Sequence, residues 1–188
     1  MKESSATSKT RRNLSVKKLT ASGVCLALCI LLPFLTGQIP QIGSALSPMH
    51  IPVLLCGFIA GPWYAAIVGV LAPLLRFVLF GMPPIMPTGI AMCFELAVYG
   101  IASGFLYKLL PKKPMYIYVS LIGAMLLGRV VWGVARVLLI GVAGVPFTFQ
   151  MFLAGAFINA VPGIIVHIIL IPLIVIGLDK ANLLFIEE

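Results

Sequence analysis

Acidic side chains are almost missing from this chain: five Asp and Glu occur in 188 residues, and between Glu3 and Asp179 the only one is Glu95. A carboxylate pair for acid–base or hydrolytic work is thereby excluded from the body of the molecule. Histidine is nearly as scarce, with only His50 and His167. No H-E-x-x-H, G-x-S-x-G or Walker sequence is present, so the chain neither binds ATP by itself nor carries intramembrane hydrolase chemistry, and no enzyme activity is expected. The four cysteines, Cys25, Cys29, Cys56 and Cys93, lie in apolar stretches without C-x-x-C spacing or a matching histidine cluster. They read as small packing residues rather than disulfide partners or metal ligands, and neither a metal nor another cofactor is expected.

Charge of either sign is also sparse. Charged residues make up 10% of the chain against 61% hydrophobic ones, with a mean hydropathy of +1.15, a balance that no water-soluble domain could bury. The bilayer is the solvent. The net charge of +8 could suggest nucleic acid, but the cations are grouped by position. Lys2, Lys9, Arg11, Arg12, Lys17 and Lys18 precede the first apolar run, Lys108, Lys112 and Lys113 occupy a mid-chain gap, and Lys180 follows the last run. Such grouping marks one side of a membrane, and no nucleic-acid partner is expected.

Apolar runs fall at about 19–36, 50–60, 62–80, 88–107, 116–141 and 149–177, separated by Gly/Pro-rich punctuation. They predict an all-α integral membrane protein of six transmembrane helices, with both termini cytoplasmic. A basic tail spans 1–18, the membrane domain 19–178 and a short tail 179–188. With that orientation every basic residue outside the spans is cytoplasmic, and the loops at 37–49, 81–87 and 142–148 carry no charge. No cleavage site followed by a soluble domain appears after the first run, which is read as a retained span. The second run is too short to cross unaided, a form tolerated only where protein or a polar cavity covers the backbone. The neutral loop before it is either a lid over an external pocket or a plain connector.

Ionisable residues at membrane depth are costly and therefore candidate functional groups. On straight-helix spacing Arg76, Arg136 and Glu95 lie about 6, 8 and 10 Å from the external ends of their spans, close enough to share one layer. Arg129, Trp132 and Arg136 share a helix face, and Glu95 and Tyr99 form an i,i+4 pair. Asn159 stands on a stripe with Gly155 and Gly163, leaving space for a ligand. His50 opens the short run and can bond a ligand or the lid backbone. His167, about 27 Å below the external end by the same spacing, reads as a packing or coupling residue near the cytoplasmic side. Glu95 either neutralises one arginine or contacts ligand. Three arginines against one glutamate leave a positive excess that suits a carboxylate or phosphate. Gly23 and Ala27 on the first span make a small-x-x-x-small strip that allows close approach of another helix.

The segment MHIPVLLCGFIAGPWYAAIVGVLAPLLRFVLFGMPP with IAMCFELAVYGIASGFLY, residues 49–107, resembles the substrate-binding S components of energy-coupling factor (ECF) vitamin transporters. The carrying features are its G-x-x-x-G-P turn, the G-M-P-P loop and the F-E-L-A-x-Y-G stretch. The resemblance implies a subunit of the bacterial cell membrane that binds a small-molecule vitamin from outside and docks with a coupling transmembrane subunit and two ATP-binding subunits. It implies a pocket near Glu95, Tyr99, Trp132, Arg136 and Asn159, with Arg76 at the rim. Gly23 and Ala27 would stand where the family usually has an A-x-x-x-A docking motif. The G-M-P-P and F-E-L-A-x-Y-G pattern is most similar to the pantothenate branch, with pyridoxine, hydroxymethylpyrimidine and cobalamin precursors as alternatives. A metal substrate is disfavoured, because the chain begins Met-Lys rather than Met-His. A reading from another class is a membrane scaffold or regulatory subunit whose arginines bind lipid head groups.

Overall fold

The computed structural model describes residues 2–35, 43, 45–142 and 148–187, and every regular element among them is a helix. They are α1 (Lys2–Leu35), α2 (His50–Ala60), α3 (Pro62–Phe80), α4 (Ile90–Leu109), α5 (Pro114–Val142), α6 (Phe149–Leu153) and α7 (Val161–Lys180). A π turn at Ile85–Gly89 leads into α4, and a second at Ala154–Ile158 separates α6 from α7. Most of 37–49, read above as lid or connector, lies outside the described residues, as do 143–147.

Five stretches are long and apolar enough to cross a bilayer: Asn13–Leu35, Pro62–Phe80, Ile85–Leu109, Pro114–Gly141 and Phe149–Lys180. The eleven residues of α2 reach only about 16 Å, roughly half of a hydrocarbon core. Every residue of α2 except Ile59 is buried, so its backbone is shielded by protein rather than by lipid, as its shortness predicts.

Local sequence explains the boundaries. Pro52 sits in the first turn of α2, where no backbone donor is needed. Gly61 ends that helix at φ 99°, a conformation open to glycine, and Pro62 starts α3 at once with its φ already helical. Gly81 closes α3 in the left-handed conformation, its N–H donating to the Phe77 carbonyl at 2.8 Å. Thr148 caps α6, its hydroxyl oxygen accepting from the Met151 N–H at 3.3 Å.

The helices alternate between two ends. At one, Pro62 meets Gly104, Lys17 lies 5.5 Å over the Phe185 ring, and Leu184 and Ile186 are buried. At the other, Phe34 meets Phe80 edge-on at 5.1 Å and Arg136 reaches Thr88. The first is the basic end and the second the uncharged end. α1 and α3 thus run parallel, and the intervening segment returns to the basic end through α2.

α4 is the axis on which α2, α3 and α5 pack. Lipid offers no hydrophobic push between helices, so contact depends on close approach of small residues. An added Cβ would come 2.5 Å from the Leu96 carbonyl carbon at Gly69, 2.6 Å from the Ala65 backbone at Gly100 and 2.6 Å from the Pro62 nitrogen at Gly104. The outward faces are apolar: Leu31, Trp63, Val78, Leu138 and Leu173 are all exposed, as a lipid-solvated surface requires.

Gly69→Leu should therefore cost about 3 kcal/mol by overpacking against backbone that cannot yield. Gly177→Ala, where nothing lies within 4 Å, should leave stability unchanged or slightly raised. Unfolding in mixed micelles checks both; equal stability of Gly69→Leu and parent would refute the close-packed α3–α4 seam.

Candidate functional site

Where α2 begins, four helices bring polar side chains to one buried point. Glu95 of α4 is 1% exposed, and its Oε1 forms an ion pair with Arg129 Nη1 of α5 at 2.9 Å. Nε2 of His50, the first residue of α2, lies 3.5 Å from the same oxygen. Tyr99, one turn after Glu95 and fully buried, packs edge-on to His50 with ring centroids 5.2 Å apart. His167 of α7 stacks on the other side of His50 at 6.1 Å. Gly128 makes the arrangement possible, because a Cβ there would enter the Tyr99 ring.

The sequence anticipates Glu95, Tyr99, Arg129 and His50 as candidates, and the fold joins all four. His167 is the residue missed. Counted down a straight helix from Phe149 it falls near the basic end, yet it lies at the level of His50 and Glu95, thirteen residues or about 20 Å before Lys180. The π turn and the break at Asn159–Ala160 displace the count. The signal available was chemical: a histidine inside an apolar run is costly and calls for a partner.

Several of these groups remain unsatisfied among the described residues. Glu95 Oε1, both ring nitrogens of His50 and Arg129 Nε are buried without a hydrogen bond of good geometry, whereas the Tyr99 hydroxyl approaches Glu95 and Arg129, and His167 approaches the Ser47 backbone. Each such atom costs about 1–3 kcal/mol if nothing meets it, which makes a water or a ligand group at this point the economical arrangement. The strap before α2 lies close by. The Ala45 and Leu46 carbonyl oxygens sit where a Cβ on Gly163 would fall, at 2.6 and 2.9 Å, and the Cys29 thiol donates to the Met49 carbonyl at 3.5 Å.

Arg136 stands apart from this centre, seven residues or about 10 Å further along α5 toward the uncharged end. Its Nη1 donates to Thr88 Oγ1 at 3.1 Å and its guanidinium lies 5.4 Å from the Trp132 ring. Trp132 is in turn 6.4 Å from Phe152, and a Cβ on Gly155 would come 2.8 Å from its ring, so this glycine admits the indole. Arg136, Trp132 and Thr88 thus form a second, half-buried group.

The expected single layer of Arg76, Glu95 and Arg136 is not formed. Arg76 donates instead to the Ile30 carbonyl of α1 at 2.9 Å and lies between the rings of Phe34 and Phe80, at 5.8 and 5.4 Å. It ties α3 to α1. The Gly155–Asn159–Gly163 stripe also breaks: the π turn shifts the helix phase, so Gly155 faces Trp132, Gly163 faces the strap, and Asn159 is exposed. On α1, Ser22, Cys25 and Cys29 point inward while Gly23 and Ala27 are exposed, with nothing within 4 Å of a Cβ on Gly23.

Five apolar stretches long enough to cross a bilayer, packed around a buried ionic centre with a second arginine nearer the uncharged end, define a helical membrane protein. Residues 17–175 match the family model described as ECF transporter, substrate-specific component, and the chain belongs to that family. No curated protein and no solved structure gives a match.

Breaking the ion pair from either side should be costly. Glu95→Gln or Arg129→Met alone should lose about 3–5 kcal/mol, because one charge is left buried and uncompensated, and the double change should lose less than either. A double-mutant cycle on micellar unfolding measures this. Additive losses would mean that the two side chains do not act as a pair.

Proposed function

We propose that this protein binds a small anionic vitamin or vitamin precursor from outside the cell and delivers it inward as the substrate-specific component of an ECF-type ATP-driven importer. Pantothenate is the ligand that fits best. The observation that carries the reading is Arg136, held by Thr88 and Trp132 between the uncharged end and the buried ionic centre. A guanidinium oriented in this way offers a ready fork to a carboxylate. Arg129 adds a second cation deeper in the bundle, while Glu95 supplies the single nearby carboxylate.

Topology supports the same direction of transport. α1 and α3 are parallel, so the chain must pass back between them, and α2 lies on that return. Counting it as a crossing gives six, with both termini and the basic loops in the bacterial cytoplasm, in keeping with the positive-inside rule. The Arg136 group then faces the exterior, where substrate arrives.

Because the chain holds no nucleotide-binding sequence, the driving force comes from partners: a coupling transmembrane subunit and two ATP-binding subunits. The exposed Gly23–Ala27 strip is the surface proposed to meet the coupling subunit, since its smoothness lets a foreign helix approach closely.

A vitamin panel tested on the purified protein should give one large rise in melting temperature, with pantothenate expected to produce it. Arg136→Ala should remove that rise while lowering the ligand-free melting temperature by only a few degrees. A silent panel, or equal loss of binding and stability, would favour a scaffold. Separately, Gly23→Leu with Ala27→Leu should abolish uptake by cells that carry the whole transporter and leave ligand binding to the isolated protein unchanged; undiminished uptake removes the proposed docking strip.

A further inference from the structure

α1 is the most loosely held of the five membrane-length stretches: 22% of its most apolar window is buried, the smallest share among them. Between Lys17 and Pro33 its buried residues are Ser22, Cys25 and Cys29, all small. Such a face packs closely but grips weakly, so the direction of the helix depends on how its ends are fastened. At the uncharged end Arg76 provides a fastening, on the Ile30 carbonyl and between the rings of Phe34 and Phe80. At the basic end the segment that follows α7 provides another.

That segment is a hook. Asn182 takes the left-handed conformation at φ 55°, which asparagine adopts more readily than most residues. The Leu183 N–H donates back to the Leu178 carbonyl at 2.9 Å and the Ala181 N–H to the Gly177 carbonyl at 3.2 Å, so the chain reverses at once. Leu184 and Ile186 are buried, and the helical turn Phe185–Glu187 packs against α1, α2 and α4. Ile186 lies at the joint of α2 and α3, where a Cβ on Gly61 would come 3.6 Å from its Cγ1. Lys17 of α1 stands over the half-buried Phe185 ring at 5.5 Å. The hook thereby ties the end of α7 to α1.

Gly23 is six residues, about 9 Å, from Lys17 and seven residues, about 10 Å, from Ile30. The exposed Gly23–Ala27 strip therefore lies between the two fastenings. We propose that Leu184, Phe185 and Ile186 are positioning residues for docking: the hook sets the angle at which α1 presents this strip to the coupling subunit. The inference rests on the reading of Gly23–Ala27 as the docking surface. Without the hook α1 loses its fastening at the basic end, and a swing of about 10° about Ile30 carries Gly23 about 2 Å sideways. A small-residue contact depends on close backbone approach and does not survive such a displacement.

The test uses the full chain co-expressed with the coupling subunit and the two ATP-binding subunits. Leu184→Ser with Ile186→Ser should reduce co-purification of the coupling subunit by about fivefold. In the same variant, hydrogen exchange should rise about tenfold at the amides of residues 17–24 and stay unchanged from Ala91 to Tyr99, toward the uncharged end of α4. Leu184→Val with Ile186→Val should restore both. Phe185→Ala, at a half-buried position, should lower capture about twofold and guards against a serine variant that fails to fold. Undiminished capture in the serine and alanine variants, while Gly23→Leu with Ala27→Leu blocks it, overturns the hook alone. Capture lost together with the protection of α4 in both variants overturns it too, because the hook then serves the fold at large. Capture that survives Gly23→Leu with Ala27→Leu removes the docking surface, and this inference with it.

Discussion

The ion pair between Glu95 and Arg129 is the constraint around which the bundle is organised. A lone carboxylate at this depth is tolerable only beside a cation, and Arg129 supplies one at 2.9 Å while His50 approaches the same oxygen at 3.5 Å. The consequences spread through the chain. α4 and α5 are held at one register, and the start of α2 is drawn to the level of Glu95. α2 consequently begins deep in the bundle and needs only eleven residues to reach the basic end. Ala45 and Leu46, just before it, lie against Gly163 of α7, which has no side chain in their way.

Charge alone does not assemble helices in lipid; close contact must be available as well. α4 carries both functions on different faces. Gly100 and Gly104 let α3 approach at van der Waals distance, while Glu95 and Tyr99 turn toward α2 and α5. α5 repeats the division, with Gly128 under the Tyr99 ring and Arg129 beside it in sequence. The same small residues that allow tight packing therefore leave the polar groups aligned. The last stretch, Phe149–Lys180, is 28% buried over its most apolar window, against 56% for Ile85–Leu109, so it is the more loosely held of the two.

Much of this was legible in the sequence, and the failures have specific physical causes. The four middle apolar runs fall within a few residues of observed helices because lipid selects for continuous hydrophobicity, whereas α1 begins at Lys2, well before the first run, and the last run is broken by a π turn. The short run at 50–60, read as covered by protein or a polar cavity, is buried in protein at every residue but Ile59. Glu95, Tyr99, Arg129 and His50 stand out because each is expensive in an apolar segment. What the sequence does not reveal is phase and partner choice. One π turn at Ala154–Ile158 rotates Asn159 to the surface and lifts His167 into the centre. Arg76 satisfies itself on a backbone carbonyl of α1, a partner that no pattern of charged residues announces.

The separation of Arg76 from the other arginines changes what the positive excess means. Counted along the sequence, three arginines oppose one glutamate. In the fold, Arg76 is occupied by Ile30, Phe34 and Phe80, and Arg129 is engaged by Glu95. Arg136 in turn meets a hydroxyl and an aromatic face. Those neighbours orient the guanidinium. In the proposed reading an anion would meet such a group nearer the surface, because a fully buried unpaired cation would cost more than binding could return. The Glu95–Arg129 pair is already neutralised, so under the proposed function its part would be hydrogen bonding rather than attraction.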